Sequence, residues 1–249
     1  MSFSLLGVRI EKISSADAIR VIKEALVEKK QFKLYTPNPE MLVKAQGDVY
    51  FRNILNAADL NICDGRGIQF FASEKIERIS GVDLMLSICA LAESENRSIY
   101  LLGSGDDNVV AQTKKNLLRS FPKLSVAGFD KGPIMKENDV GELMIDSEAN
   151  EMVLKKIATS EPAILFVAFG MGKQEKWIDK YITKLPSVGV AMGVGGAFDF
   201  ISEKIPRAPL LLRKLGLEWL YRLIRQPTRI GRIFNAIIRF SYLALRSTI

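Results

Sequence analysis

Asp64 ends a short apolar run, Leu60–Cys63, and is followed by Gly65, Arg66 and Gly67. Two glycines behind an acid at a strand end let a ligand come close to the backbone while the carboxylate stays free. Partial burial raises the pKa of such an acid and still leaves it mostly ionised near neutrality, as a base for an alcohol requires. The same residues also fit a plain Asp-Gly turn. The chain contains no histidine. That excludes Ser-His-Asp and Cys-His nucleophiles in their usual forms and most catalytic zinc sites. A carboxylate is therefore the expected general base.

A second polar turn is Thr36-Pro37-Asn38-Pro39-Glu40, where two prolines restrict the backbone and Thr36 and Asn38 offer polar side chains. It reads equally as a strand-to-helix turn capped by Asn38. Three further turns are glycine-rich: Gly103-Ser104-Gly105-Asp106-Asp107, Phe169–Glu175 with Lys173 and Gln174, and Gly193–Asp199 with Gly195 and Gly196. Backbone amides in such turns suit a diphosphate. The Asp pair after Gly105 opposes an anion at that turn, and neither a P-loop nor a full GxGxxG is present. Asp106-Asp107 is not an Asp-x-Asp metal motif and none occurs elsewhere, so no metal and no cofactor are expected. Cys63, with no histidine to activate it, reads as a packed core thiol.

The elements that must position these turns are legible as alternation. Apolar, β-rich runs recur at Lys33–Thr36, Leu60–Cys63, Ser98–Leu102, Leu124–Gly128, Ile164–Phe169 and Gly189–Val194. Between them lie segments of helical spacing, such as Ile19, Ile22 and Leu26 behind a Ser14-Ser15 cap, and Leu84, Ile88 and Leu91. This pattern predicts an α/β fold: a Rossmann-like parallel sheet with helices on both faces, its ligand beyond the carboxyl ends of the strands. Residues 131–151 are polar and poorly periodic and read as a loop with one short helix. Of 249 residues, 48% are hydrophobic and two are cysteine, which fits a folded protein of a reducing cytosol. The first residues lack a basic start and a long apolar stretch, so no signal peptide is expected, and no apolar run is long enough to span a membrane.

Charge divides the chain. Residues 206–249 hold nine Lys or Arg and one acid, Glu218, for +8, whereas the whole chain is +7 and residues 1–205 therefore about −1. Pro206 and Pro209 mark the boundary between an α/β catalytic core, 1–205, and a basic helical appendage, 206–249. On one helical register Arg222, Arg225, Arg229 and Arg232 fall within an arc of roughly 80°, with Pro227 interrupting. A basic amphipathic helix carrying Trp219, Tyr221, Phe240 and Tyr242 reads as interfacial on an anionic bilayer. A solvated charged face is the bland alternative, and nucleic acid the weaker one.

TPNPEM at 36–41, ADLNICDGRG at 58–67, RISGVDL at 78–84, FVAFGMGKQEKWI at 166–178, GVGGAFDFIS at 193–202 and RAP…LEWLYRL…QPTR at 207–229 occur in order. Together they resemble the WecG/TagA/CpsF glycosyltransferases, bacterial enzymes of glycosyltransferase family 26. The resemblance implies inverting, metal-independent transfer of an N-acetylmannosamine-type sugar from a UDP-sugar donor to a polyprenyl-diphosphate-linked sugar, in surface polysaccharide or teichoic-acid linkage synthesis. It implies Asp64 as general base, Thr36 and Asn38 beside the reacting sugar, and Gln174 at the donor. Arg78, Asp83, Gly103, Gly195, Gly196, Asp199 and Arg207 are expected to bind substrate, as are the appendage arginines Arg222, Arg229 and Arg232. A peripheral place on the cytoplasmic face of the membrane follows, with no nucleic-acid partner and a homo-oligomer left open. Gly172 stands where the family usually carries proline, and Glu203 where it usually carries glycine. The competing class is a non-catalytic nucleotide-sugar-binding module docked on the membrane by its basic tail. An NAD-type oxidoreductase is disfavoured by the incomplete glycine fingerprint.

Overall fold

Alternate side chains of the central strands point to opposite faces of one sheet, and both faces are covered. The computed structural model describes residues 1–249 except 29, 73, 215, 226, 228, 229, 248 and 249, and except the side chains of Lys214, Arg222, Arg225 and Arg232. The chain opens with a hairpin, β1 (Ser2–Leu5) and β2 (Val8–Glu11). Then follow α1 (Ser15–Glu28), β3 (Phe32–Tyr35), α2 (Pro39–Gly47), α3 (Val49–Asn56), β4 (Leu60–Asn61), α4 (Arg66–Phe71) and α5 (Gly81–Ser94). Next come β5 (Ser98–Gly103), α6 (Asp107–Ser120), β6 (Ser125–Asp130) and a second hairpin, β7 (Met135–Glu137) with β8 (Leu143–Ile145). The core closes with α7 (Ser147–Ser160), β9 (Ile164–Ala168), α8 (Lys173–Tyr181), β10 (Val190–Gly193) and α9 (Ala197–Ile201). The basic segment forms α10 (Leu210–Lys214), α11 (Glu218–Arg225), α12 (Ile230–Phe234), a π-helical turn (Asn235–Arg239) and α13 (Phe240–Ser247).

Six strands pair in the order β4-β3-β10-β9-β5-β6, every pair parallel. These are the six runs expected from sequence. Leu34, Ile99, Leu101, Ile164, Phe166, Val190 and Met192 pack with α1, α5, α6 and α9 on one face. Tyr35, Tyr100, Leu102, Leu165, Val167 and Ala191 pack with α2, α3, α7, α8 and α13 on the other. Each Val, Leu, Ile, Phe or Met side chain among them taken fully from water contributes about 1.5–3 kcal/mol before its entropy cost. From β5 the chain runs outward to β6, and from β9 it runs the other way to β10. The crevice beyond these two strand ends is where an open parallel sheet takes its ligand.

Caps fix the helix starts. Asn38 Oδ1 accepts from Met41 N at 3.0 Å, Asp48 Oδ1 from Phe51 N at 2.8 Å and Ser14 Oγ from Asp17 N at 3.1 Å. Gly172, at φ +85°, opens α8 in a conformation that proline cannot adopt.

Residues 131–151 are not a plain loop: they form the β7–β8 hairpin and the start of α7. A buried charge, not apolar alternation, holds this hairpin. Lys176 is fully buried, its Nζ 2.6 Å from Asp48 Oδ2 and 2.8 Å from Glu137 Oε1, and it also donates to the Gly141 carbonyl. The segment around Pro227, where the sequence predicts an interruption of the basic helix, lies partly outside the described residues. Helix α11 ends at Arg225 and α12 begins at Ile230. Among the described residues no helix is long and apolar enough to cross a membrane.

Candidate active site

Thr36 follows β3, Asp64 lies just beyond β4, and Gly81 opens α5 beside both. Gly81 N–H donates to Asp64 Oδ2 at 3.0 Å. A Cβ on Gly81 would stand 3.1 Å from Thr36 Oγ1 and 3.4 Å from Asp64 Oδ2, so the absence of a side chain lets the three residues converge. Arg78 Nη1 lies 4.0 Å from Asp64 Oδ1. Burial pushes the Asp64 carboxyl up to about 6; the Gly81 amide and Arg78 pull it back, while Glu218 and Asp83 add to the rise. The side chain still keeps 29% of its surface open, so it is held dry but reachable. Such a group is largely ionised at pH 7 and close enough to neutrality to take a proton from a hydroxyl.

Asp64 sits where two cavities meet. One, of about 300 Å³, lies over the strand ends and is lined by Thr36, Gln174, Gly195, Gly196 and Asp199 among others. The other, of about 440 Å³, lies under the basic helices and is lined by Arg66, Arg78, Glu218, Trp219, Ile237 and Phe240 among others. Asn38, Asp64, Val82 and Phe200 line both. Since Asn38 Oδ1 is spent on its helix cap, its amide nitrogen is the polar group it can offer a ligand.

The first cavity has a fixed polar wall. Gln174 Oε1 accepts from Gly195 N at 2.9 Å, and its Nε2 donates to Glu175 Oε1 at 2.8 Å. Glu175 Oε2 in turn accepts from Gly172 N at 2.7 Å. The chain Gly172–Glu175–Gln174–Gly195 therefore ties two glycine turns together and fixes which end of the Gln174 amide is the oxygen. A Cβ on Gly193 would come within 2.8 Å of Gln174 Nε2. Burial raises the Glu175 carboxyl to about 7, against the pull of its hydrogen bonds.

Three residues expected to contact substrate, Gly103, Asp83 and Arg207, are not in the lining of either cavity. Gly103 packs its backbone on β9, where a Cβ would meet Ala168 at 2.7 Å. Asp83 and Arg207 are spent on each other: Arg207 Nη1 and Nη2 donate to the two Asp83 oxygens at 2.7 and 2.8 Å. The turn after Gly103 offers no open helix end, because Asp106 caps α6 and pairs with Lys204 at 3.0 Å. Arg229, and the side chains of Arg222 and Arg232, lie outside the described residues. Cys63 is buried with its thiol pushed up to about 12, as a packed core residue should be. Sequence reasoning did not single out Trp219, Val82 or Phe200 as site residues, nor Glu218 beyond its charge. The lone acid in a basic segment, followed by tryptophan, was the available signal.

A profile of the glycosyl transferase WecG/TagA/CpsF family matches residues 3–249. The chain belongs to this family. Among curated relatives, an N-acetylglucosaminyldiphosphoundecaprenol N-acetyl-beta-D-mannosaminyltransferase of Bacillus spizizenii is 31% identical over 206 residues, covering 81% of this chain and 74% of the relative. A protein of the same description from Staphylococcus aureus is 30% identical over 236 residues, covering 92% of this chain and 87% of the relative. As a WecG/TagA/CpsF protein, the chain is a glycosyltransferase, not a binding module.

Proposed function

We propose that this glycosyltransferase moves an N-acetylmannosamine-type sugar from a UDP-sugar to a sugar carried on a polyprenyl diphosphate, with inversion and without a metal. One observation carries the reading: Asp64, raised to about 6, stands at the junction of a glycine-lined polar cavity and an appendage-lined, more apolar one. The polar cavity suits the nucleotide sugar and the other suits the lipid-linked acceptor. Asp64 takes the proton of the acceptor hydroxyl. The oxygen then forms its bond to the anomeric carbon on the face opposite the bond to the UDP oxygen, which breaks. The departing diphosphate collects negative charge, met by the backbone amide at Gly196 and by guanidinium groups. Arg222, Arg229 and Arg232 are the proposed arginines, on the strength of charge and motif.

The basic appendage supports a peripheral place on an anionic membrane surface, on the cytoplasmic face where UDP-sugars are available. Leu210, Leu211, Ile224, Ile230, Phe234, Ile238, Tyr242 and Leu245 are exposed among its arginines, an arrangement suited to an interface. The direct test is a screen of UDP-sugar donors against a short-chain polyprenyl-diphosphate-GlcNAc acceptor, with products read by mass. A product with UDP-N-acetylmannosamine, lost in Asp64→Ala, is expected. Near-full transfer by that folded variant would overturn the base assignment. Sedimentation of the full chain with anionic but not neutral vesicles tests the membrane reading.

A further inference from the structure

Glu218 is the one acid among residues 206–249, and Trp219 follows it. Both line the cavity under the basic helices, which Asp64 also lines. Glu218 Oε1 is itself buried, whereas the side chain as a whole keeps 19% of its surface open. Arg207, which pairs with it, stands 3.6 Å away through Nε, while the terminal nitrogens of that arginine are committed to Asp83 and Ser80. A carboxylate has about four acceptor sites, so this single long pairing leaves capacity for a hydrogen bond from a ligand at its open side. Trp219 keeps 40% of its surface exposed, so a large aromatic face remains open at the same place. A helix start can be stabilised by an exposed acid, so the dipole of α11 does not by itself call for a glutamate buried in a cavity wall.

The chemistry of the pair is selective. A carboxylate repels a diphosphate but accepts hydrogen bonds from hydroxyl groups, and an indole face packs on the apolar C–H face of a ring. A pyranose offers both, a ring face and a rim of hydroxyl donors. We infer that Glu218 and Trp219 form the subsite for the acceptor's sugar ring, Glu218 accepting from a hydroxyl other than the nucleophile and Trp219 packing on the ring. This rests on the acceptor being a sugar on a lipid diphosphate, as proposed above. A ring held there presents its nucleophilic hydroxyl to Asp64 in the same cavity. That Glu218 pushes the Asp64 carboxyl upward fits two carboxylates facing one small space.

The test uses the full chain with wild type, Glu218→Ala, Glu218→Gln, Trp219→Ala and Trp219→Phe. The acceptors are a short-chain polyprenyl-diphosphate sugar and analogues each lacking one hydroxyl other than the nucleophile, at saturating donor. Wild type is expected to disfavour one analogue by about 10–100-fold in acceptor kcat/KM, the worth of a hydrogen bond to a charged group. Glu218→Ala should lower kcat/KM for the parent acceptor by a similar factor and treat that analogue like the parent, with donor KM and UDP binding unchanged. Glu218→Gln, which keeps an acceptor oxygen, should retain more activity than Glu218→Ala, and Trp219→Phe more than Trp219→Ala. Retention of full wild-type discrimination by Glu218→Ala, or a raised donor KM in its place, overturns the subsite alone. Failure of wild type to transfer to any sugar-bearing lipid acceptor overturns both the subsite and the reading beneath it.

Discussion

Arg207 grips Asp83 through two parallel hydrogen bonds of 2.7 and 2.8 Å, and so fastens the start of the basic appendage to the first turn of α5. The same helix begins with Gly81, whose amide holds Asp64. The ion pair thus links the appendage to the helix that positions Asp64, the proposed base. Arg207 is largely buried but Asp83 is 53% exposed, so the pair itself is worth only about 1 kcal/mol despite its bidentate geometry. Arg207→Ala should therefore lower stability slightly but raise acceptor KM several-fold, by loosening the cavity wall. Asp83→Asn should do the same, and the double variant should be no worse than either single one. Full additivity in the acceptor kinetics would show that the two residues do not act as a unit.

Asp64→Asn keeps the shape of the site and removes the proposed base. Transfer should fall on the order of 10²–10³-fold or more, with UDP binding retained. In wild type, kcat/KM should fall about tenfold per pH unit below about 6, where the carboxyl takes up a proton. The stability effect has the opposite sign to that of an ordinary salt-bridged acid. Its folded pKa lies above the usual carboxylate value, so the folded state binds the proton more tightly than the unfolded chain does. Stability from this group falls as pH rises from about 4 through 6. The asparagine variant should then melt higher than wild type at pH 8, by about 1–3 kcal/mol, and not at pH 4. Paired melting curves at the two pH values check this.

The sheet was readable because it is buried on both faces. Runs such as Ile164–Ala168 and Val190–Gly193 are apolar without interruption, and the turns beyond them are where polar residues concentrate. Asp64, Thr36 and Gly195 could be picked out because they lie in the turns just past strands, whereas the roles expected of Thr36 and Gln174, the latter in the first turn of α8, came from the family resemblance. The β7–β8 hairpin could not be seen, since its three-residue strands depend on Lys176, 31 residues beyond β8, meeting Glu137 and Asp48. Nor could the pairing of Asp83 with Arg207, which are 124 residues apart. Which cavity Glu218 and Trp219 line is likewise a product of the appendage folding back, and no local pattern encodes it.

Glu175 is a positioning residue whose two oxygens are used, one on the Gln174 amide and one on Gly172 N–H. Glu175→Ala leaves both donors unpaired and frees Gln174 to turn away from Gly195. Donor KM should rise about tenfold while acceptor KM holds, because the loss falls on the wall of the polar cavity alone. Glu175→Gln, able to accept one of the two bonds, should lie between. Titration of UDP into each variant separates this from a general loss of fold, which would lower binding stoichiometry instead of affinity.

Phe240 fastens the far end of the appendage. It is 1% exposed, packs edge-on against Phe71 with centroids 5.6 Å apart, and places Cε1 3.0 Å from where a Gly67 Cβ would stand. Gly67 follows Asp64 by three residues, so this ring also sets the floor of the cavity beside that carboxylate. Phe240→Ala removes a buried aromatic and should cost about 3–5 kcal/mol. Gly67→Ala presses on the same contact, and on Pro39, from the core side and should cost about 1–3 kcal/mol. Both should raise acceptor KM more than donor KM, since the strand-end cavity does not include either residue. Thermal denaturation with and without UDP measures the two effects together. If Phe240→Ala left both melting and acceptor KM at wild-type values, α13 would not be what holds that cavity wall in place.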